Sequence, residues 1–490
     1  MSKAMRTKSF LMTAFKTILS MAMGVVITLI IVFVVYLNKR EDLAVWHLAN
    51  LDQEFSVDSD VQDFDEYLTL EDRLFTQLDE LVYANTPPPS NTSINRFQRG
   101  SYSDPERWSP NWNRSFEMPA PGNGPSILLI HGMSDSPYSL RGLAEKLHKA
   151  GAYTLGLRVP GHGTAPSGLT RVTWQDMAAA TRLAAQHLSS RNPGQPIYLV
   201  GYSNGAALAV NYTLATLTET ALPKISGLVL LSPAIGVTAA AAFASWQARL
   251  GRVLGLEKLA WNSISPEYDP YKYGSFAINA GDVTYRITNE IQRRITDLTK
   301  RKLIGDMPPI LAFSSIVDAT VLAPALIGNL FDRLSPGGHQ LVLFDINHIS
   351  KLQYLLKWRP DSMIDALEQR PHESYKLTVL TNENNPDGTI EAHHWLTREG
   401  GITVESLPLI WPKGVYSLSH VALPFPAEDP IYGSHHNKDN PGVYLGNIAL
   451  HGERGVLKTS PSEMLRLRWN PFYSYLETET LKFLNIKIKK

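Results

Sequence analysis

Pro196-Ile197-Tyr198-Leu199-Val200-Gly201-Tyr202-Ser203-Asn204-Gly205-Ala206-Ala207-Leu208-Ala209-Val210 decides the fold of this chain. The apolar run Pro196–Val200 reads as a buried strand, and the run from Ala206 reads as the start of a helix. Between them stands Gly-x-Ser-x-Gly. Its glycines permit a turn whose backbone would otherwise clash, and the turn lifts the Ser203 hydroxyl above a sheet edge. The pentapeptide alone is common. Strand, sharp turn and helix together separate a nucleophile elbow from an ordinary glycine-rich turn.

Upstream, Ser126-Ile127-Leu128-Leu129-Ile130 is a second buried-strand run, and it ends in His131-Gly132-Met133. His131, at a strand end before a tight turn, reads as structural. The stretches His131–Tyr138, Leu157-Arg158-Val159-Pro160-Gly161-His162-Gly163-Thr164 and Gly201–Gly205 together resemble the α/β-hydrolase superfamily. The nearest branch holds monoacylglycerol lipases and serine aminopeptidase-like hydrolases. The resemblance runs from about Gly124 to Asp318, and the first 120 residues lie outside it.

That resemblance implies the α/β-hydrolase fold, with a mostly parallel sheet and a cap insertion over the site. It implies two backbone N–H donors for an oxyanion, here Met133 and Asn204. It also implies the order serine, then acid, then histidine. The acid falls to Asp318, which follows the strand-like run Ile310–Ile316; an N-cap aspartate opening helix 322–334 is the plainer role, and Asp306 is a weaker rival. Two histidines compete for the base. His348 follows the strand-like run Gln340–Asp345. His420 follows the strand-like run Gly414–Ser419 and precedes Val421-Ala422-Leu423-Pro424. The stretch Tyr416–Phe425 resembles a motif of large bacterial α/β-hydrolases with a long C-terminal region, and on that resemblance the base is His420. The run Tyr375–Thr381 between the two histidines indicates a sheet extended before the histidine loop.

Strand and helix patterns alternate from 126 to 232, with helices expected near 138–150 and 173–189 and strands over 152–159, 196–200, 226–232 and 309–316. Such alternation means βαβ units covered on both faces. The long connection before 309–316 carries Trp246, Trp261, Tyr268, Tyr271, Tyr273, Phe276 and Tyr285. It is expected to form the cap, over about 236–305. Aromatic residues there suit an acyl or aromatic substrate, or simply pack the cap on the body.

The chain has 490 residues, 46 basic and 46 acidic side chains and no cysteine. The length implies two modules or one decorated domain. The charge balance argues against nucleic acid as the main partner. Disulfides, thiolate metal sites and cysteine nucleophiles are excluded. His393, His394, His435 and His436 lack acidic partners at metal-ligand spacing and read as surface, so no metal or cofactor is expected.

Ile18 to Leu37 is an uncharged run of 20 residues, long enough for a hydrocarbon core of roughly 30 Å. Lys3, Arg6, Lys8 and Lys16 precede it, which favours a cytoplasmic N-terminus and a periplasmic or other extracytoplasmic catalytic domain, while Lys39 and Arg40 after it oppose that bias. No Ala-x-Ala-like site follows, so an uncleaved anchor is expected rather than a signal peptide. The expected division is a tail over 1–17, a transmembrane helix over 18–37, an acidic helical region and arm over 38–120 and a hydrolase domain over 121–490. Phe64, Tyr67, Leu68, Leu70, Leu74, Phe75, Leu78 and Leu81 recur at helical spacing, and the bland reading is a helix packed on the hydrolase body. The sequence thus describes a membrane-anchored serine hydrolase for lipid or other hydrophobic esters. Acyl transfer or amide cleavage at the same site, and a non-catalytic hydrolase-like scaffold, are the alternatives.

Overall fold

The computed structural model describes residues 3–90, 92–236, 256–348, 361–368, 373–395, 401–438, 440–448 and 459–486. Trp246, much of the first half of the expected cap, and the stretch 449–458 lie outside the described residues. The strands are β1 Phe116–Met118, β2 Ser126–Ile130, β3 Tyr153–Leu157, β4 Ile197–Tyr202, β5 Gly227–Leu231, β6 Trp261–Ser263, β7 Phe276–Ala277, β8 Ile310–Ser315, β9 His339–Phe344, β10 Tyr375–Thr381, β11 Thr389–Trp395 and β12 Ile402–Ile410. The helices are α1 Lys3–Lys39, α2 Val45–Leu48, α3 Phe64–Leu81, α4 Tyr138–Lys149, α5 Trp174–Arg191, α6 Asn204–Thr216, α7 Ile278–Lys300, α8 Ala323–Asn329, α9 Asp361–Glu368, α10 Pro461–Met464 and α11 Tyr473–Phe483.

One sheet runs β1-β3-β2-β4-β5-β8-β9-β10-β11-β12. From β3 to β10 every pairing is parallel, and β1, β11 and β12 join antiparallel at the edges. The central strands are largely apolar because both faces are covered. Leu128 and Ile130 point into the core shared with α5, α6 and α7, while Ile127 and Leu129 point into the core under α4 and α11. The chain leaves β2 for β3 on one side and returns to β4 on the other. The carboxyl ends of β2 and β4 therefore adjoin at a switch point, where this class of sheet opens a crevice.

The sheet does continue past β9, through β10 to β12. The run Gly414–Ser419, however, forms no strand. Pro412 lacks an N–H, Gly414 takes φ +83°, and the segment makes a single bridge, Ile346 to Ser417. A 3-10 turn, His420–Ala422, follows it. His393 and His394 lie on β11 rather than in a polar turn. They are half-buried and pair with Glu391 and Glu405. His435 and His436 are exposed.

In the long connection before β8, α7 buries Ile287, Ile291 and Ile295 at four-residue spacing against the helices that cover the sheet. Trp261, Tyr271 and Tyr273 are buried packing residues.

The region before the sheet is built into the body. Helix α3 is capped by Asp63, which accepts from the Glu66 amide, and buries Phe64, Tyr67, Leu70, Leu74, Phe75 and Leu78. Its Glu71 meets the Nε of Arg158 at 3.0 Å, and Glu54 meets the Nη2 of Arg158 at 3.0 Å. The Tyr67 hydroxyl donates to the Arg158 carbonyl at 2.6 Å. Arg158 is 1% exposed, so these two carboxylates supply its countercharge. Helix α1 holds an apolar span, Met12–Lys39, of 28 residues, within which an 18-residue stretch has mean hydropathy 3.0 and no share buried. It is long and apolar enough to cross a membrane, a description that a signal sequence also meets. At its end, Arg40 donates to the carbonyls of Lys258 and Trp261, each at 2.8 Å.

Candidate active site

Ser203 sits at the tip of the turn between β4 and α6 with φ 53° and ψ −115°. A non-glycine residue held there costs roughly 1–3 kcal/mol and persists only when its surroundings enforce it. They do so tightly. A Cβ on Gly205 would stand 2.0 Å from the Ile130 carbonyl oxygen, and one on Gly201 would stand 2.4 Å from the Ala206 Cα. Both glycines of the pentapeptide are thus demanded by close backbone approach. The Ser203 amide donates to the Leu231 carbonyl at 2.9 Å, which ties the tip to β5.

The Ser203 hydroxyl donates to His420 Nε2 at 3.1 Å, and His420 Nδ1 donates to Asp318 Oδ2 at 2.8 Å. Asp318 Oδ1 accepts the amides of Thr320 at 2.8 Å and Val321 at 2.9 Å. Burial alone would raise the Asp318 carboxyl. The His420 ring and those two amides outweigh it and hold the group below its ordinary value. Because the carboxylate only accepts, it fixes the proton of His420 on Nδ1 and leaves Nε2 to accept from the serine.

His420 reaches this place through the end of β9. The Asn347 amide donates to the Tyr416 carbonyl at 2.8 Å, and its side-chain nitrogen donates to the Val415 carbonyl at 2.8 Å. With the Ile346–Ser417 bridge, these bonds lay the segment before His420 along the strand end. His348 faces a different carboxylate, donating from Nε2 to Asp345 Oδ2 at 2.7 Å. The structure thus brings Ser203, Asp318 and His420 together and gives His348 another partner. Asp306 lies in the 3-10 turn before β8.

Met133 and Asn204 line the cavity beside Ser203. Asn204 opens α6, so its N–H belongs to the first turn and has no intrahelical acceptor. His131 accepts the Val159 amide at Nε2, at 3.0 Å, and its Nδ1 bonds the Gly132 carbonyl at 2.9 Å. That arrangement locks the loop before Met133. Burial, with His162 beside it, holds the His131 ring neutral.

The cavity measures about 680 Å³. Ala234, Phe276, Val321 and Phe425 form apolar wall, with Gly281 and Thr284 at the start of α7. Charged groups that sequence reading passed over line another part: Asp135, Asp269, Lys272, Glu463, Arg466 and Arg468. The alternation Leu465-Arg466-Leu467-Arg468 was a readable sign that one side of the segment faces solvent or a cavity. Among the described residues no group of three or more His, Asp or Glu side chains could hold a metal ion.

The family described as serine aminopeptidase, S33, matches residues 124–329. A thermostable monoacylglycerol lipase of Bacillus sp. (strain H-257) is 30% identical over 235 residues, covering 47% of this chain and 86% of that protein. Among solved structures, the monoacylglycerol lipase of Paleococcus ferrophilus is 20% identical, covers 47% of this chain and 88% of its own, and superposes with a TM-score of 0.35. A soluble variant of monoglyceride lipase from Saccharomyces cerevisiae is 14% identical over 47% of this chain and 81% of its own, with a TM-score of 0.35. The chain belongs to the α/β-hydrolase superfamily, in the branch of the monoacylglycerol lipases and serine aminopeptidases, a group of lipase- and esterase-type hydrolases.

Proposed function

We propose that this protein is a membrane-anchored serine hydrolase that cleaves carboxylic esters through an acyl-enzyme. The observation that carries the reading is the hydrogen-bonded series from Ser203 through His420 to Asp318, at 3.1 and 2.8 Å. His420 Nε2 takes the hydroxyl proton as Ser203 Oγ attacks the ester carbonyl carbon. The carbonyl oxygen becomes an oxyanion and accepts from the Met133 and Asn204 amides. Collapse expels the alcohol, which receives its proton from His420. Water then repeats the sequence, releasing the acid and restoring Ser203. Asp318 keeps His420 in the required tautomer and stabilises the imidazolium.

A lipid or other hydrophobic ester is the substrate class. The apolar wall of the cavity, the apolar span of α1 and the acylglycerol lipase among the relatives support it. In this reading 1–17 is a cytoplasmic tail, 18–37 crosses the membrane, 38–120 joins it to the catalytic domain of 121–490, and residues within 236–305 cap the site from outside the cytoplasm.

A fluorophosphonate probe tests the chemistry. Wild-type protein should label at one serine, and Ser203→Ala should abolish labelling while its thermal unfolding stays near wild type. Labelling retained in folded Ser203→Ala protein would remove the mechanism.

A further inference from the structure

Among the described residues, Lys272, Arg466 and Arg468 are the lysine and arginine side chains lining the Ser203 cavity, and two of them are committed. Lys272 Nζ meets Asp135 Oδ1 at 3.0 Å, against a carboxylate side chain only 5% exposed. Arg468 Nη2 donates to the Tyr268 hydroxyl at 2.9 Å, and its Nη1 stands 3.9 Å from Asp269 Oδ2. Arg466 differs. Its described contacts are at 3.4 Å: Nη1 with Glu463 and Nη2 with the Thr320 hydroxyl. Glu463 is 56% exposed and stands three residues away, so their pair contributes little and exchanges readily for another anion.

The position of that guanidinium is specific. Thr320, its neighbour, donates its own amide to Asp318. Arg466 thus reaches the cavity one residue from the carboxylate that holds His420. Its planar fork matches a carboxylate or a phosphate with two parallel hydrogen bonds. Of the described acidic side chains that line the cavity, Asp135 and Asp269 face Lys272 and Arg468 and only the exposed Glu463 meets Arg466, while Asp318 faces His420.

We propose that Arg466 receives an anionic group, a carboxylate or a phosphate, carried by the ester substrate a few bonds from its scissile carbonyl. This rests on the serine-esterase reading and adds a substrate class to it. The neutral part of the substrate lies along Ala234, Phe276 and Val321, and the anion lies toward Arg466.

The test uses the full chain in detergent and two ester pairs. One is 1-butyrylglycerol against 1-butyrylglycerol 3-phosphate, and the other is methyl butyrate against monomethyl succinate. The first reads phosphate and the second carboxylate. Wild type should favour the anionic member of at least one pair in kcat/KM by about tenfold or more. Arg466→Gln should erase that ratio, chiefly through KM, and Arg466→Lys should keep part of it. Taking the ratio within each variant removes any shared loss of folded protein. Preference for both neutral esters, or a ratio unchanged in Arg466→Gln, would overturn the proposal. Calorimetric binding of monomethyl succinate and of 1-butyrylglycerol 3-phosphate to S203A separates the two readings. Should the serine chemistry fail, binding retained by S203A and lost from S203A/R466Q still supports Arg466, while equal binding to both, or none to either, overturns it.

Discussion

His348 and His420 each donate to a buried carboxylate, Asp345 and Asp318 respectively, yet His420 alone among the described histidines bonds Ser203. The difference lies in how each reaches the end of β9. His348 comes directly off β9, whereas His420 is laid beside that end by Asn347 and the Ile346–Ser417 bridge. Residue by residue, the places of Ser203 and Asp318 just past strand ends were legible because each follows a largely apolar run. The choice of His420 needed a family resemblance, since the run before it is no strand and the bonds that place that run come from Asn347, 68 residues before Val415. At matched folded concentration, His420→Ala should lower turnover by several orders of magnitude and His348→Ala should change it little. The opposite order would reassign the base. A second residue, His162, makes a stability prediction. Burial, with a smaller effect from Arg158, lowers its pKa from 6.5 to about 4. Above pH 6.5 its ring is neutral folded or unfolded and contributes no pH dependence. As pH falls toward 4, the unfolded chain takes a proton that the folded chain refuses, so stability is lost across that window and levels off below it. Urea unfolding of wild type and His162→Gln should show the wild-type advantage shrinking by about 2–3 kcal/mol between pH 7 and pH 4.5. A gap that widens on acidification would refute the buried neutral ring.

At the scale of elements, β2, β4, β5 and β8 were readable because burial on both faces leaves few polar positions to confuse the pattern. Strand β11 was not. Its buried Ile390 and Ala392 alternate with Glu391 and the histidine pair, and the polar members resembled a turn. Helix α3 was plain from its spacing, but the partner of its one buried charge was not. Arg158 belongs to a motif 87 residues downstream of Glu71, and only the fold joins them. That ion pair gives a prediction about the element. Arg158→Met leaves Glu71, 3% exposed, with its carboxylate buried and no countercharge. The expected loss is about 3–5 kcal/mol, read as a lowered midpoint in denaturant unfolding. Arg158→Met combined with Glu71→Leu should recover much of it, because the orphaned charge is gone. No recovery in the double variant would show that packing or the Glu54 and Tyr67 contacts, rather than the buried charge, dominate.

At the scale of the whole molecule, the acidic region after α1 is held to the sheet. Arg40 bonds the segment that leads into β6, Glu54 and Glu71 hold Arg158, and β1 pairs with β3 at the sheet edge. The body therefore begins directly after the apolar span, with no free linker between span and site. If α1 spans a membrane with its N-terminus in the cytoplasm, Ser203 and the C-terminal helix α11 lie together on the other side. A chain fused after Lys490 to a reporter active only outside the cytoplasm should then be active, and the protein should stay in membranes washed with alkaline carbonate. Removing residues 1–37 keeps Arg40 and every contact just named, so the shortened protein should be soluble and still label with a fluorophosphonate at Ser203. Activity of a cytoplasm-only reporter would reverse the topology. A soluble, shortened form released from the wild-type chain by signal peptidase would show α1 to be a leader, and the contacts of Arg40 would then mark where the mature body starts rather than where an anchor meets it.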